Sequence, residues 1–175
     1  IYTGMITAYN IEGGTGAAGG MSQTNMTNLM LLITTDVTIH EVSLRLFARC
    51  MMYGNANKDN NYISAEHFRQ LSNSVPADVK ALINHNSENA TYANLKAYER
   101  PSQDNYVFGL VNYHQWFGIN SITSRLKVQQ LQRSDIIDIG YSCNDPGIAY
   151  NTLDILNEVF ARQYGLLRYG ETNNV

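Results

Sequence analysis

Cysteine is nearly missing from this sequence. Cys50 and Cys143 are the only two, and no CxxC spacing exists. A zinc or redox site of the usual spacing is therefore excluded, and two part-buried free thiols are the expected state. Charge is also sparse, at 15% of residues, with a net charge of −3. No run of Lys and Arg is present for phosphates or anionic lipid to read, so nucleic acid is excluded as the main partner. Long hydrophobic runs are absent too. The longest, residues 29–33, falls far short of the roughly 20 apolar residues that a membrane span needs. No signal peptide is visible and the sequence opens on Ile1 rather than Met. The expectation is an excised piece of a longer parent.

What is present suits one folded unit. A chain of 175 residues, 44% apolar, can bury a workable core without staples, and residues 1–175 are read as a single domain. Twelve tyrosines suit half-wet surfaces, including sugar or protein contacts, and equally the edge of a core. Asn25-Met-Thr27 and Asn89-Ala-Thr91 have the form of glycosylation sequons, which matters only in a eukaryotic source.

Residues 12–22, EGGTGAAGGMS, contain Gly14-Thr-Gly16-Ala-Ala-Gly19, a match to the dinucleotide-binding fingerprint. Three requirements of that site fail. The preceding stretch carries Thr3, Thr7 and Asn10, whereas a strand of a parallel sheet is buried on both faces. GMSQTN separates Gly19 from the next apolar helix, so the helix dipole would act from too far away. Asp36 lies near the expected distance of about 20 residues, but it starts a helix rather than ending a strand. The preferred reading is a mobile surface loop.

Residues 1–10 predict a strand, with Tyr2, Ile6 and Ala8 on one face and Thr3, Met5 and Thr7 on the other. Residues 25–33 predict a short apolar helix. Thr35 or Asp36 then caps a helix from Val37 to about Tyr53, with Thr38-x-x-Glu41 as an alternative capping box. Val37, Glu41, Leu44, Phe47, Ala48 and Met51 form its core-like stripe. Ser64 caps a helix over 65–73. Pro76 starts another over 76–84, and 87–99 is a further helix stopped by Pro101. Residues 106–113 read as helical, and 116–124 as a short helix or loop. Residues 126–132 alternate, RSD turns, and 136–142 alternate again with Ile137, Ile139 and Tyr141 on one face. That is a β-hairpin. Asp145 is placed to cap the last helix, with Pro146 at its first position. Ala149, Leu153, Leu156 and Phe160 run down one side to an end near Arg168. The order predicts an α+β fold with a small, mainly antiparallel sheet, made of the first strand and the hairpin, packed against several helices.

Candidate chemistry is thin. His40, His67, His85 and His114 show no pair at helical ligand spacing, and His40 does not face its neighbour Glu41. No metal or other cofactor is expected. Asp138 points to the polar face of its strand, so it and Asp135 make no catalytic pair. No nucleophile elbow or triad is found, and no catalytic residue is assigned. Trp116, with Tyr113 and Phe117, could stack on a sugar ring, although core packing is the commoner role of such a cluster.

The stretch KVQQLQRSDIIDIGYSCNDPGIAYNTLDILNEVFARQY resembles the closing element of the Wzz-type chain-length determinants, the polysaccharide co-polymerases. The matching positions are Ser134, Asp135, Ile136, Ile137, Ile139, Tyr141, Asp145, Pro146, Ala149, Leu153, Asn157 and Phe160. YTGMITAYNIE and NLMLLITTDVTIHEVSLRLF resemble the family's first strand and helices. LKAYERPSQDN resembles the variant in exopolysaccharide proteins of Bacteroidetes. The resemblance implies a periplasmic domain held between two inner-membrane spans of a bacterial protein. Such proteins assemble as homo-oligomers beside a polysaccharide polymerase or an outer-membrane exporter, set polymer length or license export, and touch the polysaccharide without bond chemistry. The spans, the long helical arm after the last helix and a cytoplasmic tyrosine-kinase module are not in this sequence. Two other expectations stand beside it: a secreted carbohydrate-binding module using the Trp116 cluster, and a nucleotide-binding enzyme domain using the glycine loop.

Overall fold

The computed structural model describes residues 2–6, 23–99, 105–132 and 134–172. The glycine-rich segment, strand residues 7–10 and Pro101 lie outside the described residues, as do the side-chain faces of the first strand. The elements are β1 (Tyr2–Ile6), α1 (Gln23–Ile33), α2 (Asp36–Tyr53), α3 (Ala65–Ser74), α4 (Ala77–Lys80), α5 (Glu88–Tyr98), α6 (Tyr106–Tyr113), α7 (Ile119–Thr123), β2 (Leu126–Gln130), β3 (Ile137–Tyr141) and α8 (Pro146–Thr172). The fold is α+β, as the element order predicts.

The sheet is antiparallel with order β1-β3-β2. Tyr2 pairs with Tyr141 and Ile6 with Ile137 on one side of β3, while Leu126 and Gln130 pair with the same two residues on the other. The hairpin parity is as expected: Ile137, Ile139 and Tyr141 are all buried. Ser134 shapes the connection. Its N–H donates to Leu131 O at 2.8 Å and its hydroxyl oxygen accepts from Ile136 N–H at 3.2 Å. Gln132 takes the positive φ of 43° that the turn requires of one residue.

Helix α2 is the hub. It touches α1, α3, α5, α6, α7 and α8, so nearly all its sides are covered and Ile39, Val42, Leu44, Leu46, Phe47, Ala48 and Cys50 are fully buried. The single-stripe expectation is therefore too narrow, and one of its members is wrong. Val37 is 74% exposed, whereas Thr38 and Ile39 beside it are fully buried, so it lies on the one side of the first turn that is left to solvent. Thr35 is the cap, accepting from Thr38 N–H at 3.3 Å. Thr38 lies inside the helix and is not an alternative N-cap. Its hydroxyl instead bonds Leu32 O and Gln163 Oε1, both at 2.8 Å.

Ser64, Ser87 and Asn105 cap α3, α5 and α6 through their side chains. The helix expected over 76–84 is shorter. Pro76 is its N-cap in extended conformation, and the chain turns after Lys80. Leu82 and Ile83 N–H then tighten to Val79 O and Lys80 O, both at 3.1 Å, and Asn84 N–H donates to Thr91 Oγ1 at 2.8 Å rather than back to Lys80. Helix α8 runs past Arg168 to Thr172. Ala149 and Leu156 are buried, with Leu153 and Phe160 half-buried against the core. Among the described residues, no helix is long and apolar enough to cross a membrane.

Candidate functional site

The segment that carries the resemblance is built around Asp145. Its carboxylate is buried and accepts four hydrogen bonds. Oδ1 takes Gly147 N–H at 2.9 Å and Ile148 N–H at 3.1 Å, which caps α8. Oδ2 takes Ser64 N–H at 3.0 Å and meets His67 Nδ1 at 2.6 Å. Burial pushes the Asp145 carboxyl up, but these bonds outweigh it and hold it below the ordinary value. The sequence places Asp145 as the cap of one helix; the structure makes it the link between the starts of two.

The other motif residues fall into two groups. Ile137, Ile139, Tyr141 and Ala149 are buried, with Leu153 and Phe160 half-buried. Ser134 holds the hairpin turn. Asp135, Pro146 and Asn157 are exposed. Asp138 receives Gln129 Nε2 at 2.9 Å across the hairpin.

The histidines are dispersed and mostly engaged. His40 Nε2 meets Glu99 Oε2 at 2.7 Å, pairing α2 with the end of α5. His114 Nδ1 accepts Trp116 N–H at 3.2 Å, and burial lowers its pKa to about 4. The imidazole is thus neutral at pH 7, with its proton on Nε2. His85 is exposed. Among the described residues, no group of three His, Cys, Asp or Glu is placed to hold a metal ion.

The aromatic cluster is core rather than a sugar platform. Trp116 is only 2% exposed and Phe117 is fully buried. The Trp116 indole lies 4.5 Å from His67 and donates from Nε1 to Asn144 Oδ1 at 3.3 Å. Tyr113 is left alone at the surface. Cys50 is fully buried, with its thiol pushed up by burial, and Cys143 is half-buried and also raised.

A second constellation was not foreseen from the sequence. Arg49, on α2, is buried and holds carboxylates with all three guanidinium nitrogens. Nε bonds Glu88 at 2.9 Å, Nη1 bonds Asp154 at 2.5 Å, and Nη2 bonds both oxygens of Glu158 at 2.9 and 3.0 Å. Burial opposes its charge, but the carboxylates prevail and raise its pKa. Beside it, Arg45 Nε pairs with Glu41 at 2.7 Å, and Arg162 reaches the same Glu41 at 2.7 Å. Arg45 also lies over the Tyr92 ring at 4.4 Å. This network joins α2, α5 and α8. An open cleft of about 380 Å³ lies over Arg49, walled by Tyr53, Tyr62 and Tyr150. The only sequence signals for it are two arginines in an apolar helix and an excess of tyrosine.

No family model, curated protein or solved structure matches this chain.

Proposed function

We propose that this domain is a non-catalytic scaffold in a bacterial inner-membrane protein that regulates the chain length or export of a surface polysaccharide. In this reading it stands in the periplasm, forms homo-oligomers in the parent protein, and works beside a polymerase or exporter. The reading rests on the resemblance of residues 127–164 to the chain-length determinants. The observation that carries it is the engagement of Asp145. The most chemically suggestive residue of the motif directs both carboxylate oxygens to helix starts, including one from the middle of the chain. A motif whose acid is committed to holding two helices is suited to building a surface, and a length regulator needs a surface rather than a general base.

Deletion of the parent gene tests the proposal. The expected result is a shifted length distribution, or a changed amount, of exported polysaccharide on a gel, restored by the intact gene. An unchanged profile overturns the scaffold reading. Loss of polymer synthesis on single replacement of His40, Asp135 or Asp138 in a stably folded parent overturns it as well, by pointing to a catalytic group.

A further inference from the structure

The cleft over Arg49 is open, walled by aromatic rings and floored by a closed set of charges. We propose that it is a saccharide subsite, taking one or two uncharged sugar rings of a glycan. This goes beyond the scaffold reading and does not depend on it.

Shape comes first. A volume of about 380 Å³ falls in the small end of the range for small-molecule sites, about 300–1,000 Å³. The walls are pre-formed. Tyr53 and Tyr62 stack with ring centroids 4.6 Å apart and a 30° tilt. Asn60 holds both, its Nδ2 donating to Tyr53 O at 2.7 Å and its Oδ1 accepting from Tyr62 N–H at 2.9 Å. Asn151 Nδ2 donates to Asn61 O at 2.7 Å, which fastens this wall to α8 and so to Tyr150. A ligand entering such a cleft orders little that is not already ordered.

Chemistry selects the ligand. Tyr150 is 59% exposed and Tyr53 40% exposed; one face of the Tyr53 ring is taken up by Tyr62, and the exposed parts of the two rings are offered to the apolar C–H face of a pyranose. The phenol hydroxyls both donate and accept. Asp154 binds Arg49 through Oδ2, which leaves Oδ1 as an acceptor for a sugar hydroxyl. Alternating apolar faces and hydroxyl edges are the chemistry of a saccharide.

Charge argues for an uncharged one. Each guanidinium nitrogen of Arg49 already faces a carboxylate, so no bidentate fork remains for a uronic acid or phosphate. The network sets Arg45, Arg49 and Arg162 against Glu41, Glu88, Asp154 and Glu158. Three positive charges against four negative leave one excess negative charge, which repels an acidic sugar.

The test is an NMR titration of the 175-residue chain with labelled tyrosines. The probes are neutral hexasaccharides of glucose, mannose, galactose and N-acetylglucosamine, together with hexagalacturonate and tetramethylammonium chloride. At least one neutral oligosaccharide should shift the Tyr53 and Tyr150 rings with millimolar affinity. Tyr150→Ala should weaken it about tenfold or more, as expected for loss of one stacking contact. Tyr113→Ala, an exposed tyrosine outside the cleft, should leave affinity unchanged. Tyr53→Ala serves as the second variant if Tyr150→Ala unfolds. The proposal is overturned if no neutral oligosaccharide binds at tens of millimolar, or if hexagalacturonate or tetramethylammonium binds more tightly. Binding that survives both cleft variants, or is lost equally with Tyr113→Ala, also overturns it. Because the readout is binding by this chain alone, its failure is separate from failure of the gene-deletion test.

Discussion

Nδ1 of His67 lies 2.6 Å from Oδ2 of Asp145, a contact between residues 78 positions apart. It joins the first turn of α3 to the residue that starts α8. Asp145 thus closes a long loop of chain: one carboxylate caps α8 and ties down Ser64, the N-cap residue of α3. Replacing it removes more than one ordinary cap, which is worth about 1 kcal/mol.

Asp145→Ala is expected to cost about 3 kcal/mol, since it strands two N–H groups at α8, Ser64 N–H and His67 together. Asp145→Asn retains one oxygen for the α8 cap and should cost about half as much. Urea unfolding of the three proteins measures both. A loss below about 0.5 kcal/mol for Asp145→Ala would show that the two-helix link contributes little.

The cap itself was legible because Asp-Pro ahead of an apolar period is a local signal, and the hairpin because Ile137, Ile139 and Tyr141 keep a period of two. The second half of Asp145's role was not legible. Ser64 and His67 are remote in sequence, and nothing local marks them as its partners. Arg49 was hidden for a related reason. Among the apolar residues around it, from Leu44 to Met52, it reads as the solvent side, yet α2 has almost no solvent side. Its partners come from α5 and α8, and only their convergence makes a buried guanidinium tolerable. Trp116 illustrates the reverse error of local reading. An aromatic cluster has the same sequence whether it faces a ligand or the core, and here His67 of α3 packs on Trp116 and Phe47 of α2 on Phe117.

Two glycines of α8 should respond oppositely to alanine. A Cβ on Gly147 would fall 2.6 Å from Tyr62 C and 2.7 Å from Ile63 N. Backbone cannot yield cheaply there, so Gly147→Ala should destabilise by about 2 kcal/mol or more. It should also disturb the loop that presents Tyr62 to the cleft. Gly165 lies within the helix, and among the described residues nothing beyond its chain neighbours and the helix's own backbone comes within 4 Å of its would-be Cβ. Gly165→Ala should stabilise by about 0.5–1 kcal/mol. Thermal or urea unfolding of the pair decides the matter, and equal effects would contradict it.

His114 predicts the response to mild acid. Its pKa is about 4 in the folded chain against an ordinary 6.5, so the unfolded chain binds this proton first. Stability is therefore full above pH 6.5 and falls as pH drops from 6.5 toward 4, by at most about 3 kcal/mol from this residue. His114→Leu should lose stability at both ends of that range, through the Trp116 N–H bond, but lose the slope between them. Asp145 acts lower. Its folded pKa lies below 3.8, so its contribution is intact above that value and disappears as pH falls through the folded pKa. Urea midpoints at pH 7.5 and 4.5 for both proteins separate the two residues, and an unaltered slope in His114→Leu would refute the assignment.

Arg49 should be the costliest charged residue to remove. Arg49→Ala would leave Glu88, Asp154 and Glu158 gathered around a vacated, buried centre, and breaking a buried ion pair from one side costs about 3–5 kcal/mol. All three acids are partly exposed, Glu158 the most at 54%, so the lower end is expected. Arg49→Lys should recover less than half of the loss, because one ammonium cannot face carboxylates in three directions as the guanidinium fork does. The penalty should shrink when the acids are neutralised. In a double-mutant cycle, Asp154→Ala should therefore cost less in the Arg49→Ala background than alone, with a coupling of about 1 kcal/mol or more. Additive losses would mean that Arg49 contributes through packing of its stem rather than through its carboxylates, and the charge-balance argument for an uncharged ligand in the cleft would weaken with it.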